Sequence, residues 1–487
     1  MIRARESKPG EHLEMKAVVL AGGEGTRLRP LTLTRPKPMI PLGPEPAIHY
    51  VLSQLSREGF REIVMVTGYL RNQIMEYLGD GSNLGLRITY AVEPDEFLCG
   101  TAGSLKLIEH LLDETFLVAQ ADTLSEIPLT EALKLHRRNG AYATIALTRV
   151  KNPSVFGVAV IDADSTITEF QEKPPKEQVR SDLASTGFYI LEPEALDHIE
   201  SEKWDFAKDL FPRLLKLDKK LSGFVSEAFW VDIGSLSGYL RGTRWVLGGT
   251  NGKAPHNADN AGLRNPVVTD ADAHVGRSVL ITGPALIEKE VVIEDEAKIG
   301  QDCVIKRSAR ISSGTALDRS VIMERASIGR DCTISGSVIG QAADLQRNVA
   351  VEGSIIGPGC VIGEGAHILS GSRIWPNVRI EANARVNGIV AVPLEKAFYF
   401  YTGLGQYTGI LATSIEEFVQ ALEKAPMGSI EFHASRRDFE KWVRQVLASD
   451  ELADGVEAIR RRAVTGEELR RDLVEVTKEW ADKVSSR

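Results

Sequence analysis

Hydrophobic positions along the chain fall into three regimes. Through residues 15–248, short apolar runs alternate with stretches of helical spacing. Residues 17–21, 62–67, 87–92 and 116–120 read as strands. Residues 47–58 read as a helix, with Ile48, Val51, Leu52 and Leu55 three and four apart, and 72–78 read as another. That alternation predicts an α/β domain around a mostly parallel sheet. Further on, the period changes to six: Ile287, Ile293, Ile299, Ile305 and Ile311, then Ile356, Ile362, Ile368, Ile374, Ile380 and Val386. A strict six-residue period with small residues between is the pattern of a hexapeptide parallel β-helix. Between Leu317 and Val351 the pattern slips phase, which predicts an outward loop or an irregular coil. After Val392-Pro393 the hexads stop. An aromatic, glycine-rich stretch, AFYFYTGLGQYTG, leads into three amphipathic segments opened by Ser414 with Glu417, Ser435 with Asp438, and Thr465 with Glu468. These predict a small, mainly helical domain. The expected division is a disordered tail over 1–14 (Met15 being a second candidate start), an α/β domain over 15–248, a linker over 249–265, a β-helix over 266–392 and the helical domain over 396–487.

Composition narrows the function classes. The 487 residues are 43% hydrophobic and 26% charged, ordinary for a globular protein, and the net charge of −9 argues against a nucleic-acid binder. No apolar run approaches the ~18 residues of a membrane span, and the N-terminus lacks the apolar core of a secretory signal. The expected location is cytoplasmic. Four cysteines make no disulfide framework. Cys303, Cys332 and Cys360 each stand two residues before an isoleucine, the place held elsewhere in the repeat by Ala297, Ala309, Ala366, Ser372 and Ala384. They therefore read as inward packing residues, not ligands or redox thiols.

The densest candidate chemistry is in residues 18–42, VVLAGGEGTRLRPLTLTRPKPMIPL. A buried strand breaks into Gly22, Gly23 and Gly25, whose free N–H groups can line an anion site. Arg27, Arg29, Arg35 and Lys37 follow among three prolines. A stiff, basic, glycine-led loop suits a polyphosphate. The dinucleotide fingerprint fails at Leu28, and the P-loop Gly-Lys-Ser/Thr is absent. Asp122 and Asp232 each follow or end an apolar strand. Two carboxylates at strand ends beside polyphosphate suit Mg²⁺, although either alone reads as a turn residue. Asp162 and Asp164 read as a hairpin tip. In EPDEFLCGTAGSL, Gly100, Thr101, Ala102 and Gly103 are small enough for a flat ligand to approach. Glu93 can only accept hydrogen bonds when ionised, which suits the adjacent N1–H and N2–H donors of guanine.

Residues 18–42 resemble the N-terminal motif of the sugar-1-phosphate nucleotidylyltransferases (NDP-sugar pyrophosphorylases), in the form of the mannose-1-phosphate guanylyltransferase branch. The resemblance covers the whole first domain and implies a Rossmann-like nucleotide-diphospho-sugar transferase fold. It implies nucleotide contacts from Leu20, Gly22, Gly23, Gly25, Thr26, Glu93, Gly100 and Thr101. It implies catalytic roles for Arg27, Lys37, Asp122 and Asp232, the two aspartates binding Mg²⁺. Gly157, Glu172, Lys173 and Gly187 would then meet the sugar phosphate. The implied reaction is NTP plus sugar 1-phosphate to NDP-sugar and pyrophosphate, with GTP and mannose 1-phosphate favoured. UTP or dTTP with glucose 1-phosphate, and a non-catalytic NDP-sugar-binding regulatory homologue, are the alternatives. Relatives often carry a left-handed β-helix that mediates assembly, so a homo-oligomer is expected. Some use that helix for acyl transfer, but His274 and His367 stand alone in their coils and read as surface residues. The last region resembles an uncharacterised domain fused to sugar-metabolising proteins, and a protein partner is expected for it.

Overall fold

The computed structural model describes residues 15–94, 99–248, 267–390, 392, 396–447 and 449–485. The expected tail over 1–14 and linker over 249–265 lie outside the described residues. The chain divides into two compact units. One holds residues 34–234 with the segment ending at Gly25, and the other holds Thr26–Leu33 with the chain from Ser235 onward.

The first unit is built on a nine-stranded sheet. Its strands are β1 (Ala17–Ala21), β2 (Glu62–Thr67), β3 (Arg87–Val92), β4 (Phe116–Gln120), β6 (Ala143–Arg149), β7 (Gly157–Ile161), β8 (Ile167–Glu172), β9 (Leu183–Leu191) and β10 (Leu221–Val225). A two-stranded ribbon adds β5 (Thr123–Ser125) and β11 (Trp230–Asp232). The central path runs β8-β7-β9-β4-β1-β2-β3, with β6 pairing β9 and β10. β1 lies parallel to β2 and β4, and β2 to β3. The helix over Ala47–Arg57 joins β1 to β2 through the expected apolar face of Ile48, Val51, Leu52 and Leu55. The sheet is more mixed than the alternation suggests, because β9 enters antiparallel to β4 and β6, and β7 and β8 form a hairpin. A hairpin needs only a tight turn, and its tip is where Asp162 accepts backbone hydrogen bonds from Asp164 and Thr166.

The second unit is a three-sided parallel β-helix continued by a helical domain. Its sheets have eight, seven and seven strands. Ile287, Ile305, Ile322, Ile339, Ile356 and Ile374 stack inward as one column. The phase slip after Leu317 is not a loop or an irregular coil. Ile305, Ile322, Ile339 and Ile356 are seventeen residues apart, where Ile287 and Ile305 are eighteen apart. One corner in each of these coils is shorter by a residue, and the ladder continues unbroken. Buried Ser320, Ser337 and Ser354 stack at that corner, the hydroxyls of Ser320 and Ser337 each accepting the next serine's backbone N–H. Hydrogen bonding there replaces the missing residue's spacing, which a count of hydrophobic periods cannot register.

The inner core runs without a break from Val386 and Val392 into Phe398, Phe400, Phe418, Phe439 and Trp442. The last domain thus covers the end of the solenoid, where an unpaired strand edge is otherwise exposed. Glu416 accepts the N–H of Ile389, and Thr413 that of Val392. Among the described residues the domain is a hairpin (Phe398–Tyr401 with Tyr407–Ala412) and five helices. Ser414 caps its helix as expected. Ser435 does not cap: it ends the helix Met427–Ser435 and donates to the carbonyl of Phe432. The Asp438 carboxylate is committed to His433 and Arg436. Arg460, Arg461 and Arg462 lie at a helix end and pair with Glu440, Glu457 and Asp472. No helix among the described residues is long and apolar enough to cross a membrane.

Cys303, Cys332 and Cys360 are buried and free, and burial pushes the thiols of Cys303 and Cys360 up to about 12. In the native protein at pH 8, an aromatic disulfide reagent is therefore expected to titrate one thiol, Cys99, and all four only after denaturation. Rapid labelling of more than one thiol would show that the solenoid opens.

Candidate active site

The carboxyl ends of β1, β2 and β4 lie side by side, the place where ligands bind in open α/β sheets. All five residues of β1 are buried, and Leu20 accepts the N–H of Ala121. The glycine loop follows, and Gly22 accepts the N–H of Tyr69. A Cβ at Gly22 would lie 2.3 Å from a Glu93 carboxylate oxygen, and one at Gly68 2.8 Å from the same oxygen. Both positions require glycine. Gly25 has φ +64°, and Gly23 meets nothing within 4 Å.

Glu93 follows β3 and is only 4% exposed. The Ser104 hydroxyl donates to its Oε1 at 2.6 Å. Burial raises the carboxyl above the ordinary glutamate range, and the Ser104 bond partly opposes that. Sequence reasoning did not find Gly68 or Ser104. Each matters only through Glu93, a partner distant along the chain. Gly100 and Gly103 are small for a reason the sequence does not show. A Cβ at Gly100 would fall 2.3 Å from the Trp204 carbonyl oxygen, and at Gly103 1.9 Å from that of Glu202. The N–H groups of Gly100, Ala102 and Gly103 donate to those same carbonyls at 2.8–2.9 Å. Thr101 donates to Asp205 at 3.1 Å.

Lys37, Asp122 and Asp232 come together. Pro36 and Pro38 flank Lys37 in a short 3-10 turn, and its side chain turns inward, 6% exposed. Its ammonium donates to Asp122 Oδ2 and, at 3.1 Å, to Asp232 Oδ1. The aspartates are brought together by the pairing of β11 with β5, Asp232 standing opposite Thr123. The Gly234 N–H donates to Asp232 at 2.7 Å, fixing that carboxylate. Two carboxylates that reach one ammonium converge on a point where a hard cation fits, and the donor set, all oxygen, is the one Mg²⁺ prefers.

The remaining expected residues form a third group. Glu172 lies against Gly157, where a Cβ would be 2.9 Å from its Oε2. Lys173 adopts φ +45°, donates its N–H to the Phe156 carbonyl and places its ammonium 3.4 Å from Glu172. Gly187, at φ +84°, faces the Gln120 side chain. Trp230 joins this group to Asp232: its indole donates to the Thr186 carbonyl at 2.9 Å, and its ring meets Phe156 edge-on. Thr26 and Arg27 are exposed in the 3-10 turn Thr26–Leu28, which belongs to the second unit. His274 and His367 point outward and are exposed.

Over residues 16–247 the chain matches the Nucleotidyl transferase family. A probable mannose-1-phosphate guanylyltransferase of Oryza sativa is 33% identical over 332 residues, 67% of this chain and 86% of the relative. The chain belongs to the nucleotidyl transferase family. A UTP–glucose-1-phosphate uridylyltransferase of Synechocystis is 36% identical, over 65% of the transferase and 84% of the relative. A mannose-1-phosphate guanyltransferase of Saccharomyces cerevisiae is 39% identical over 47% and 64%. Residues 281–390 match the GMPPB C-terminal domain, and 380–478 match a family of unknown function, DUF5752.

Gly103→Ala is expected to destabilise the transferase by about 3 kcal/mol or more, because backbone on both sides must move. Gly23→Ala, which meets open space, is expected to change stability far less. Denaturant midpoints check the pair; equal midpoints would remove the packing role given to Gly103.

Proposed function

We propose that this transferase is a Mg²⁺-dependent mannose-1-phosphate guanylyltransferase, converting GTP and mannose 1-phosphate to GDP-mannose and pyrophosphate. Family membership supports the reaction class. The observation that carries the choice of guanine is the Glu93 carboxylate held at the glycine loop by Ser104. In its ionised form it accepts from both N1–H and N2–H of guanine, which no neutral amide can do.

The sugar phosphate is already ionised near pH 7. Its oxygen attacks the α-phosphorus in line, and the bond to the β-phosphate breaks as pyrophosphate leaves. Catalysis then rests on position and charge. The N–H groups of Gly22, Gly23 and Gly25 cradle the triphosphate, with Leu20, Gly100 and Thr101 around the nucleoside. Arg27, two residues beyond the loop, meets the charge developing on the leaving group. Lys37 holds Asp122 and Asp232 in place and offers its ammonium to phosphate. Mg²⁺ held by those carboxylates would supply charge neutralisation on the phosphates. Glu172 accepts from a sugar hydroxyl, Lys173 binds the sugar phosphate, and Gly157 and Gly187 leave room for the ring. The β-helix as a homo-oligomer contact and a cytoplasmic location accompany this reading.

A second reading has its own support. Burial raises the Glu93 carboxyl, and a protonated carboxyl gives and takes one hydrogen bond each, as uracil requires. The Synechocystis relative bears a uridylyltransferase name.

Pyrophosphate release decides between them, with GTP, UTP, dTTP, ATP and CTP each paired with mannose, glucose, galactose and N-acetylglucosamine 1-phosphates. The expected result is one strong pair, GTP with mannose 1-phosphate. A UTP–glucose 1-phosphate pair establishes the second reading. No release, with nucleotide-sugar still binding in calorimetry, points to a regulatory homologue. Arg27→Ala is expected to lower kcat ~10²–10³-fold with the fold intact; near-normal turnover would remove Arg27 from the catalytic set. Glu93→Gln is expected to cost ~10–100-fold in kcat/KM with GTP and to spare UTP.

A further inference from the structure

Adjacent residues of a β-helix strand point to opposite faces. Beside the inward isoleucine column, the eight-stranded sheet therefore carries an outward column: Leu286, Val304, Val321, Val338, Ile355, Arg373 and Ile389. All seven are buried. Outward positions of the other two sheets, such as Arg310, Asp344 and Arg379 or Lys298, His367 and Arg385, are exposed. One sheet thus has an apolar outer face, and a single arginine interrupts it.

Arg373 is 7% exposed, and among the described residues no carboxylate pairs with it. Desolvation lowers its pKa to about 10. Its guanidinium donates, at 2.9 Å, to the backbone carbonyl of Arg29, 344 residues earlier. Arg29 is itself buried, in the segment Thr26–Leu33 that belongs to this unit. Leu28, Leu31 and Thr32 are buried around it, and Leu33 packs on the solenoid core. An arginine in an apolar face is costly without a partner of opposite charge. An aliphatic residue would suit the column better, so the position is explained by the carbonyl it holds.

We infer that Arg373 is a positioning residue for nucleotidyl transfer: it anchors the segment Thr26–Leu33 to the β-helix and so fixes Arg27, two residues before the anchored carbonyl. The inference rests on the catalytic role proposed above for Arg27.

The test uses the full chain and two readouts. In Arg373→Met, amide hydrogen exchange over residues 26–33 is expected to rise at least tenfold, while peptides from the solenoid coils keep wild-type protection. In the pyrophosphate assay kcat is expected to fall at least tenfold, with KM for sugar 1-phosphate changed less than twofold. Arg373→Lys, which keeps a charged donor, is expected to recover most of the lost kcat. Val338→Ala, which opens a cavity in the same column without touching the anchor, is expected to lower stability and leave kcat and exchange over 26–33 near wild type. If Arg373→Met does not fold, Arg373→Gln carries the same expectations. Wild-type exchange over 26–33 in a folded Met or Gln variant overturns the inference, as does a Lys variant no better than Met. If the wild-type protein releases no pyrophosphate, the exchange readout stands by itself, so the proposed reaction can fail separately from the anchor.

Discussion

An ammonium group that loses nearly all its water is unfavourable by several kcal/mol unless charge of the opposite sign surrounds it. Lys37 meets that requirement with carboxylates 85 and 195 residues away in the chain. The three groups can neutralise one another only after β4, the β5–β11 ribbon and the proline-flanked turn have all formed. The two aspartates, in turn, tolerate each other's proximity because a cation stands between them. A basic loop that the sequence alone could present as solvated surface is therefore tied into the sheet. It is tied at the point where a hard cation and phosphates are proposed to bind. The other groups of the site hang from the same elements: Trp230, two residues before Asp232, reaches back to the strand that bears Gly187.

The second unit obeys a different constraint. A parallel solenoid satisfies its backbone by stacking each coil on the last, so its length is open and its ends are exposed. Here one end continues into the aromatic core of the last domain, and Glu416 takes up an N–H of the final strand. The carboxylate that does so is pushed up by burial, which is the cost of ending a sheet inside a core. Whatever else the last domain contacts, it has a structural task in covering the solenoid. Its aromatic hairpin, with Phe398 and Phe400 pointing into that core, is composed for it.

Much of this was legible in the sequence because the signals were local. A strand running into a glycine loop, isoleucines six apart and small residues two before them each reflect a repeating geometry that a few neighbouring residues define. Hence the glycine loop and the packing role of three cysteines could be read directly, whereas Asp122 and Asp232 stood apart from ordinary turn residues only through the family resemblance. The missing pieces depend on contacts between distant segments. Gly68 is required by Glu93, Gly103 by the carbonyl of Glu202, and Arg373 by the carbonyl of Arg29; nothing within ten residues of any of them announces the partner. The phase slip after Leu317 failed for a related reason. A deleted corner residue and an outward loop disturb the hydrophobic period alike, and only the serine ladder tells them apart. Ser435 misled because its cap pattern was intact while its partner, Asp438, was engaged by His433.

The division of residues 18–42 between the two units bears on how such an enzyme can be tuned. In a reaction where the nucleophile is already ionised, rate comes from holding charges and reacting atoms in place, and a displacement of about 1 Å can cost a hundredfold. Gly22 and Lys37 are held by the α/β unit, the first against Glu93 and the second between two aspartates. Arg27 lies between them in sequence, on a segment whose buried side chains and carbonyl are held by the solenoid unit. The motif is covalently one stretch but is fixed at its ends by one set of contacts and in its middle by another. If Arg27 acts as proposed, the bond from Arg373 to the Arg29 carbonyl is therefore a support that can change without any substitution in the glycine loop.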